Sequence, residues 1–200
     1  FKSHPSKDLP DMQVHYVSVA MEDVHGRAGV TPQHGFSSIV YACRPQSRGH
    51  IGLYDASVNS PPALYPNYFS VDQDLIDTRN GFRETRRVFL QEAFDEYRGA
   101  QLKPPQEINV DDDDELDEWI RQTGETLYHP VGTCKMGRDE MAVVDAQGRV
   151  HGLLGLRVVD ASLMPTLIAG NTNAPTIMMA EKISDAILGR RALVPEAQLS

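Results

Sequence analysis

The spacing of apolar residues along the chain changes at Asp72 from strand-like alternation to helical spacing, and this change limits the folds that the chain can adopt. The segment Met12–Ala20 alternates apolar and polar residues, which predicts a strand. The segment Asp72–Tyr97 places its apolar residues at helical spacing, with a break into two helices predicted near Asn80 and Gly81. Strands and helices do not alternate in a βαβα pattern along the chain, so we predict an α+β fold.

The region between these two segments contains several turn signals. We interpret the polar stretch Glu22–Gly35 as a loop. Two short strands, Phe36–Cys43 and His50–Tyr54, flank the sequence "RPQSRG", which predicts a hairpin. The stretch Asn59–Ser70 holds three prolines and is predicted to be extended and irregular, because proline cannot donate a hydrogen bond within a central sheet.

Four consecutive aspartates, Asp111–Asp114, precede an apolar stripe formed by Leu116, Trp119 and Ile120. Acidic residues favour the positive N-terminal end of a helix, so a helix is predicted to begin here. A metal site is the weaker interpretation of the aspartates, because the ligand spacing of an EF-hand is missing.

The last third of the chain is predicted to contain strands followed by a helix. A strand, a turn at Ala146–Gly148 and a short strand lead to Leu156–Ser162, which we interpret as a buried strand. In the final helix, Asn173 is predicted to cap the start and Gly189 follows the last apolar residue. The residues predicted to form its buried stripe are Ile177, Ala180, Ile183 and Ile187.

The composition excludes several classes of protein. A formal net charge of −9 argues against a nucleic-acid partner, which requires a basic surface. The two cysteines, Cys43 and Cys134, form no CxxC motif and suit a reducing compartment as free thiols. No apolar run is long enough to span a membrane. We therefore predict a cytoplasmic protein with one domain, residues 1–190, and a tail at 191–200.

His129 stands in the stretch "TLYHPVGTCKMG", where Pro130 stiffens the backbone and favours an extended conformation for the histidine. A neutral imidazole on such a support can accept a proton. A core histidine that bonds to the backbone is the other interpretation, and the residues alone leave both open.

The stretch "AGNTNAPT", Ala169–Thr176, precedes the final helix. The amides at a helix start form a site for anionic groups or polarised ring oxygens. Simple capping by Asn173 explains the same residues.

Motifs of other enzyme classes are missing from the sequence. The seven histidines form no HExxH pair, so no metal site is indicated. There is also no GxSxG elbow, P-loop or GxGxxG motif. A hydrolase that uses His129 with a serine has no support in a motif.

The sequence resembles the C-terminal part of a flavin-dependent glucose–methanol–choline (GMC) oxidoreductase. The motifs "RPQSRGHIGL", "YHPVGTCKMG" and "GLRVVDASLMPTLIAGNTNAPTIMMAEKISDAI" carry the resemblance, and they occur in the order of the family. The likeness extends from about Met12 to Gly189 and is strongest towards the choline dehydrogenase and alcohol dehydrogenase branch. It implies a mostly antiparallel sheet with covering helices, which is the substrate-binding part of the family's fold.

The resemblance also implies a role for each matching residue. His129 takes the place of the active-site base that removes the proton of a primary alcohol during hydride transfer to flavin. Asn173 takes the place of the residue that bonds to the substrate oxygen. The residues that match the FAD-facing positions are Asp160, Ala161, Asn171, Thr172, Asn173, Pro175 and Thr176.

The front part of the family pattern is missing from this sequence. Family members begin with a Rossmann-type unit that carries GxGxxG and holds the FAD. We therefore expect a C-terminal fragment, either engineered or proteolytic, that is inactive and binds no FAD tightly by itself. Its expected partners are a small alcohol and the missing N-terminal part of the same chain.

Two further expectations concern location and surface. The apolar strand and helix near the C-terminus are expected to be exposed, disordered or docked onto a second copy. The location is expected to be cytoplasmic, including peripheral association with the inner membrane. The alternative function is a non-catalytic binding or regulatory module derived from the family.

Overall fold

A computed structural model describes residues 1–23, 28–30 and 34–191 of the chain. The chain divides into two compact units, Phe1–Glu125 and Thr126–Ser200. The predicted tail, apart from Arg191, lies outside the described residues. The strands are β1 (Met12–Val17), β2 (Met21–Asp23), β3 (Ala28–Val30), β4 (Ser37–Ala42), β5 (His50–Gly52) and β6 (Ala63–Tyr65), and the helices are α1 (Asp72–Phe89), α2 (Asp113–Thr123) and α3 (Asn173–Ile187).

Strands β1 and β4 form the centre of the first unit, where they pair antiparallel from Met12↔Ala42 to Val17↔Ser37. Helix α1 packs on this pair, and it continues through Asn80 and Gly81 to Phe89. The predicted break is therefore wrong. A Cβ atom at Gly81 would collide with Met12 and crowd Val40, so this glycine permits close packing of helix on sheet.

The predicted hairpin has its strands in the right places, but their pairing is wrong. Strand β4 pairs with β1, whereas β5 pairs antiparallel with β6. The carboxylate of Asp74, at the start of α1, accepts bonds from the backbone amides of Gln46 and Ser47, both at 2.7 Å. Because the buried Asp74 binds the connecting segment to the helix, the two strands cannot fold back onto each other.

Two segments predicted to be irregular contain short strands. Strand β6 lies between Pro62 and Pro66, and it belongs to a two-stranded ribbon rather than to a central sheet position. The predicted loop Glu22–Gly35 overlaps strand β2 and includes its partner β3, while residues 24–27 and 31–33 lie outside the described part.

Helix α2 confirms the prediction made from the acidic run. The side chain of Asp112 accepts bonds from the amides of Asp114 and Glu115, at 2.9 and 3.0 Å, and so caps the helix. Leu116 and Ile120 of α2 pack against Leu75 of α1 to form the core of this unit. Each such buried side chain contributes about 1.5–3 kcal/mol.

Val144, Leu163 and Ile183 form the core of the second unit. The predicted strands on either side of the turn at Ala146–Gly148 are reduced to isolated bridges, and Leu156–Ser162 makes a single bridge at Arg157. The prediction of a buried strand there is wrong. Gly148, Gly152 and Gly155 all have positive φ, and these left-handed residues interrupt any continuous ladder.

Helix α3 ends where the sequence predicted. Gly189 has a φ of 64°, and the amide of Arg190 donates to the carbonyl of Asp185 at 2.9 Å, which forms a Schellman motif. Its predicted stripe is only partly buried, because Ile183 is 3% exposed whereas Ile177 and Ile187 are both more than half exposed.

The described residues therefore confirm an α+β fold with short antiparallel sheets and helices. No helix in the described ranges combines the length and the apolar character that a membrane span requires.

Candidate active site

His129 is exposed and lies in an irregular segment of the second unit. The residue before it, Tyr128, has a φ of 62°, and its amide donates to Thr126 Oγ1 at 3.0 Å. A non-glycine residue in this left-handed region stores about 1–3 kcal/mol of strain, and such residues concentrate at functional sites. The backbone thus turns sharply just before the histidine, and Pro130 restricts it just after.

The segment that follows His129 is bonded to the 3-10 helix Ala161–Leu163. The amide of Cys134 donates to the carbonyl of Ser162 at 3.1 Å, and the amide of Met136 donates to that of Leu163 at 2.9 Å. Gly132 has a φ of 87°, and a Cβ atom there would lie 3.3 Å from the carbonyl oxygen of Met164. These contacts bring the histidine segment together with the predicted cofactor residues Asp160 and Ala161.

Asp160 starts the 3-10 helix and shapes its own turn. Its side chain accepts a bond from the amide of Ser162 at 2.8 Å, and its carbonyl oxygen accepts one from the amide of Leu163 at 3.2 Å. The residue is exposed, whereas Leu163 is fully buried in the core of the unit. The buried side chain of Leu163 therefore fixes the 3-10 helix to the core, while the carboxylate of Asp160 at its start remains exposed.

The imidazole of His129 contacts the start of helix α3. Its Nδ1 atom lies 3.2 Å from Oγ1 of Thr172, a residue that is only 7% exposed. This contact joins two predicted site segments that lie 43 residues apart in the sequence. The local sequence does not indicate this contact, because the family resemblance implies only an FAD-facing position for Thr172.

Thr172, and not Asn173, is the N-cap residue of α3, so the predicted cap is wrong by one position. Asn173 is the first helical residue, and its side chain is exposed. The side chain of Thr172 makes no capping bond to the first turn, since its hydroxyl lies against the histidine. The capping explanation for the asparagine is thereby removed.

The start of α3 presents a positive helix end close to His129. The first amides of a helix have no acceptor within the helix, and Pro175 contributes no amide hydrogen. Thr176 is the first residue whose amide bonds back within the turn, to the carbonyl of Thr172 at 3.1 Å. Asn171 and Asn173 flank this end and are both exposed.

This donor set fits the carbonyl and anionic edge of a flavin ring. Backbone amides at a helix start and carboxamides are donors that stabilise negative charge on a ring. The side chain of the N-cap residue Thr172 makes no bond to the amides of the first turn of α3. The residues that would hold FAD at this end are Asn171, Thr172, Asn173, Pro175 and Thr176, with Asp160 and Ala161 on the neighbouring segment.

Local hydrogen bonds hold two carboxylates that follow the histidine segment, those of Asp139 and Asp145. Lys135 donates to Asp139 at 2.8 Å, and this hydrogen bond lowers the pKa of Asp139 below its ordinary value. Backbone bonds, first from the amide of Arg149, lower the pKa of Asp145 in the same way. Both carboxylates therefore stabilise local turns as anions.

The chain matches known proteins over most of its length. A family model described as GMC oxidoreductase matches residues 45–180. The chain is 47% identical over 192 residues to an oxygen-dependent choline dehydrogenase of Pseudomonas fluorescens, which covers 96% of the chain and 33% of the relative. The chain thus spans about a third of the length of this curated relative.

Two solved structures are similar in fold. A pyridoxine 4-oxidase from Mesorbium loti superposes with a TM-score of 0.78 at 26% identity, over 92% of this chain and 35% of that one. A formate oxidase from Aspergillus oryzae, solved in a study of FAD modification, gives a TM-score of 0.73 at 28% identity, over 80% of this chain and 28% of that one.

Proposed function

Because the chain belongs to the GMC oxidoreductase family, we propose that it forms the substrate-side part of an FAD-dependent alcohol dehydrogenase of the choline type. In this proposal, His129 is the catalytic base and Asn173 is the group that bonds to the substrate oxygen. Curated relatives named choline dehydrogenase support the alcohol as the substrate class.

The contact between His129 and Thr172 carries this proposal. It holds an exposed imidazole at the start of α3, where Asn173 occupies the first helical position. A proton acceptor, a carboxamide donor and a positive helix end therefore occur on neighbouring residues. This combination suits the removal of a hydroxyl proton from an alcohol whose oxygen becomes more negative.

The residues of the chain have separate tasks in the proposed reaction. The substrate hydroxyl gives its proton to Nε2 of His129, while the carboxamide of Asn173 donates to the substrate oxygen. FAD, when bound by the intact protein, supplies the acceptor for the hydride of the substrate. The helix end at Asn171–Thr176 stabilises negative charge on the bound ring.

A purified chain without the rest of the protein is expected to bind no FAD tightly and to be inactive. The described residues supply only one edge of a ring site, and the chain covers about a third of its relative. Exposed apolar residues of this unit, such as Leu154 and Met178, are expected to lie against the remaining part or a second copy.

The rival functions have less support. A hydrolase would need a serine beside His129, but the partner found for its ring among the described residues is Thr172. A non-catalytic module would not need a strained backbone at Tyr128 beside an exposed histidine.

The proposal is tested with the full-length protein that contains this chain. Under anaerobic conditions, choline and a panel of other primary alcohols are added, and the visible absorbance of the flavin is followed. We expect at least one alcohol to bleach the flavin, and no alcohol to change the spectrum of the chain alone. A flavin that no alcohol reduces would refute the proposed activity.

A further inference from the structure

We propose that Thr172 is a positioning residue that sets the tautomer of His129. Oγ1 of Thr172 lies 3.2 Å from Nδ1 of the imidazole. In the proposed arrangement this oxygen accepts a hydrogen bond from Nδ1–H, which leaves Nε2 unprotonated. The inference rests on the proposed function, because a base that acts through Nε2 requires this tautomer.

The geometry separates the two nitrogens of the ring. Nδ1 lies 3.2 Å from Oγ1 of Thr172, which is a hydrogen-bond distance. Thr172 is 7% exposed, so its hydroxyl is largely shielded from water, whereas His129 is exposed. Because Nδ1 and Nε2 lie on opposite sides of the ring, the nitrogen that faces away from Thr172 is Nε2.

Thr172 is itself held in place. Its carbonyl oxygen accepts bonds from the amide of Thr176 at 3.1 Å and from the hydroxyl of Thr176 at 2.7 Å. A β-branched side chain also has few rotamers. The hydroxyl is therefore presented to the ring from a fixed backbone.

The oxygen of Thr172 also has acceptor capacity to spare. N-cap threonines commonly accept a bond from an amide of the first turn, but this one makes no such bond. Its lone pairs therefore remain available to the Nδ1–H group of His129. The base function proposed for Nε2 selects this direction over donation by the hydroxyl to an unprotonated Nδ1. In a neutral histidine, the bond made by one nitrogen decides which nitrogen carries the proton.

The test is long-range ¹H–¹⁵N NMR of the chain with labelled histidine, at about pH 8.5, where an unperturbed imidazole is neutral. His129→Gln identifies the signals of His129. We expect the protonated nitrogen of His129 to be Nδ1. Thr172→Val keeps the shape of the side chain without the hydroxyl, and it should shift the tautomer ratio towards Nε2–H by about 2- to 10-fold, the effect of one net hydrogen bond.

Two controls make the result specific. Thr172→Ser retains the hydroxyl and should keep the ratio, as should Thr133→Val, which changes an exposed threonine of the same unit. An Nε2–H tautomer in the unmodified chain, or equal ratios in the unmodified chain and Thr172→Val, would overturn the proposal. If Thr172→Val does not fold, the proposal is decided by whether His129 carries its proton on Nδ1 in both the unmodified chain and Thr172→Ser. The readout needs no flavin, so it is independent of whether the full-length protein oxidises alcohols.

Discussion

Oγ1 of Thr172 lies 3.2 Å from Nδ1 of His129, and this contact joins an irregular segment to the start of helix α3. It brings the histidine to the residue that precedes Asn173. The start of helix α3 therefore positions both the proposed base and the proposed carboxamide donor. Substitutions of these residues should differ in their effects on activity and stability.

Asn173→Ala should lower activity without lowering stability. The side chain is exposed at the first helical position and is not the cap, so the free energy of unfolding should change little. Loss of a bond to a charged oxygen should reduce kcat/KM of the full-length protein by about 10- to 100-fold. Asn173→Asp, which has the same shape but cannot donate, should lose as much. Unchanged kinetics in both variants would remove Asn173 from the site.

Gly148→Ala should destabilise the second unit more than Gly152→Ala. Both glycines have positive φ, so each alanine adds about 1–2 kcal/mol of backbone strain. At Gly148, the new Cβ would also lie 2.6 Å from the carbonyl oxygen of Val158, whereas nothing lies within 4 Å at Gly152. Hydrogen exchange of the amides around Val144 measures the difference. Equal effects would show that the close packing at Gly148 does not limit stability.

Asp112→Ala should weaken helix α2 by about 0.5–2 kcal/mol, the usual effect of losing an N-cap. Asp111→Ala serves as the control, because this exposed neighbour lies outside the helix and does not cap it. Urea unfolding followed by the fluorescence of Trp119 reports on this helix. The assignment of the cap fails if both variants unfold at the same urea concentration.

The stability of the first unit should decline in acid because of Asp11. Burial alone would raise the pKa of Asp11, but bonds from the hydroxyl and amide of Ser3 and from Lys7 lower it below its ordinary value of 3.8. A lowered pKa in the folded state gives stability that is present above the unfolded value and is lost as pH falls through the folded value.

Asp11→Asn should therefore reduce the loss of stability as the pH falls from about 5 through the ordinary pKa of an aspartate and below it. Urea unfolding at several pH values measures this slope, and Asp8→Asn is the matched control at an exposed aspartate nearby. An acid-induced loss in Asp11→Asn as steep as in the unmodified chain would contradict the account.

Features that depend on neighbouring residues could be predicted from the sequence. Helix α2 begins beside its acidic cap, and Gly189 ends α3, because both signals act within one helical turn. The resemblance of the motifs around His129 and Asn173 also indicated the family, which the family model confirms.

Features that depend on distant residues could not be predicted. The hairpin prediction failed because Asp74 binds the amides of Gln46 and Ser47 across 28 and 27 residues. The predicted helix break at Gly81 was wrong because the side chain of Met12, far away in sequence, occupies the space that the glycine leaves beside the helix. The contact between Thr172 and His129 belongs to the same class, since tertiary packing alone brings these residues together.

The kinetics of His129→Ala in the full-length protein test the central claim most directly. The account predicts that kcat for the preferred alcohol falls by about 10²–10⁴-fold, the usual effect of removing a general base. His151 is an exposed histidine of the same unit whose Nε2 lies 3.2 Å from the carbonyl oxygen of Gly137. His151→Ala should leave kcat within about twofold if general-base catalysis depends on His129 alone. A His129→Ala protein that retains its flavin and turns over at the original rate would contradict the account.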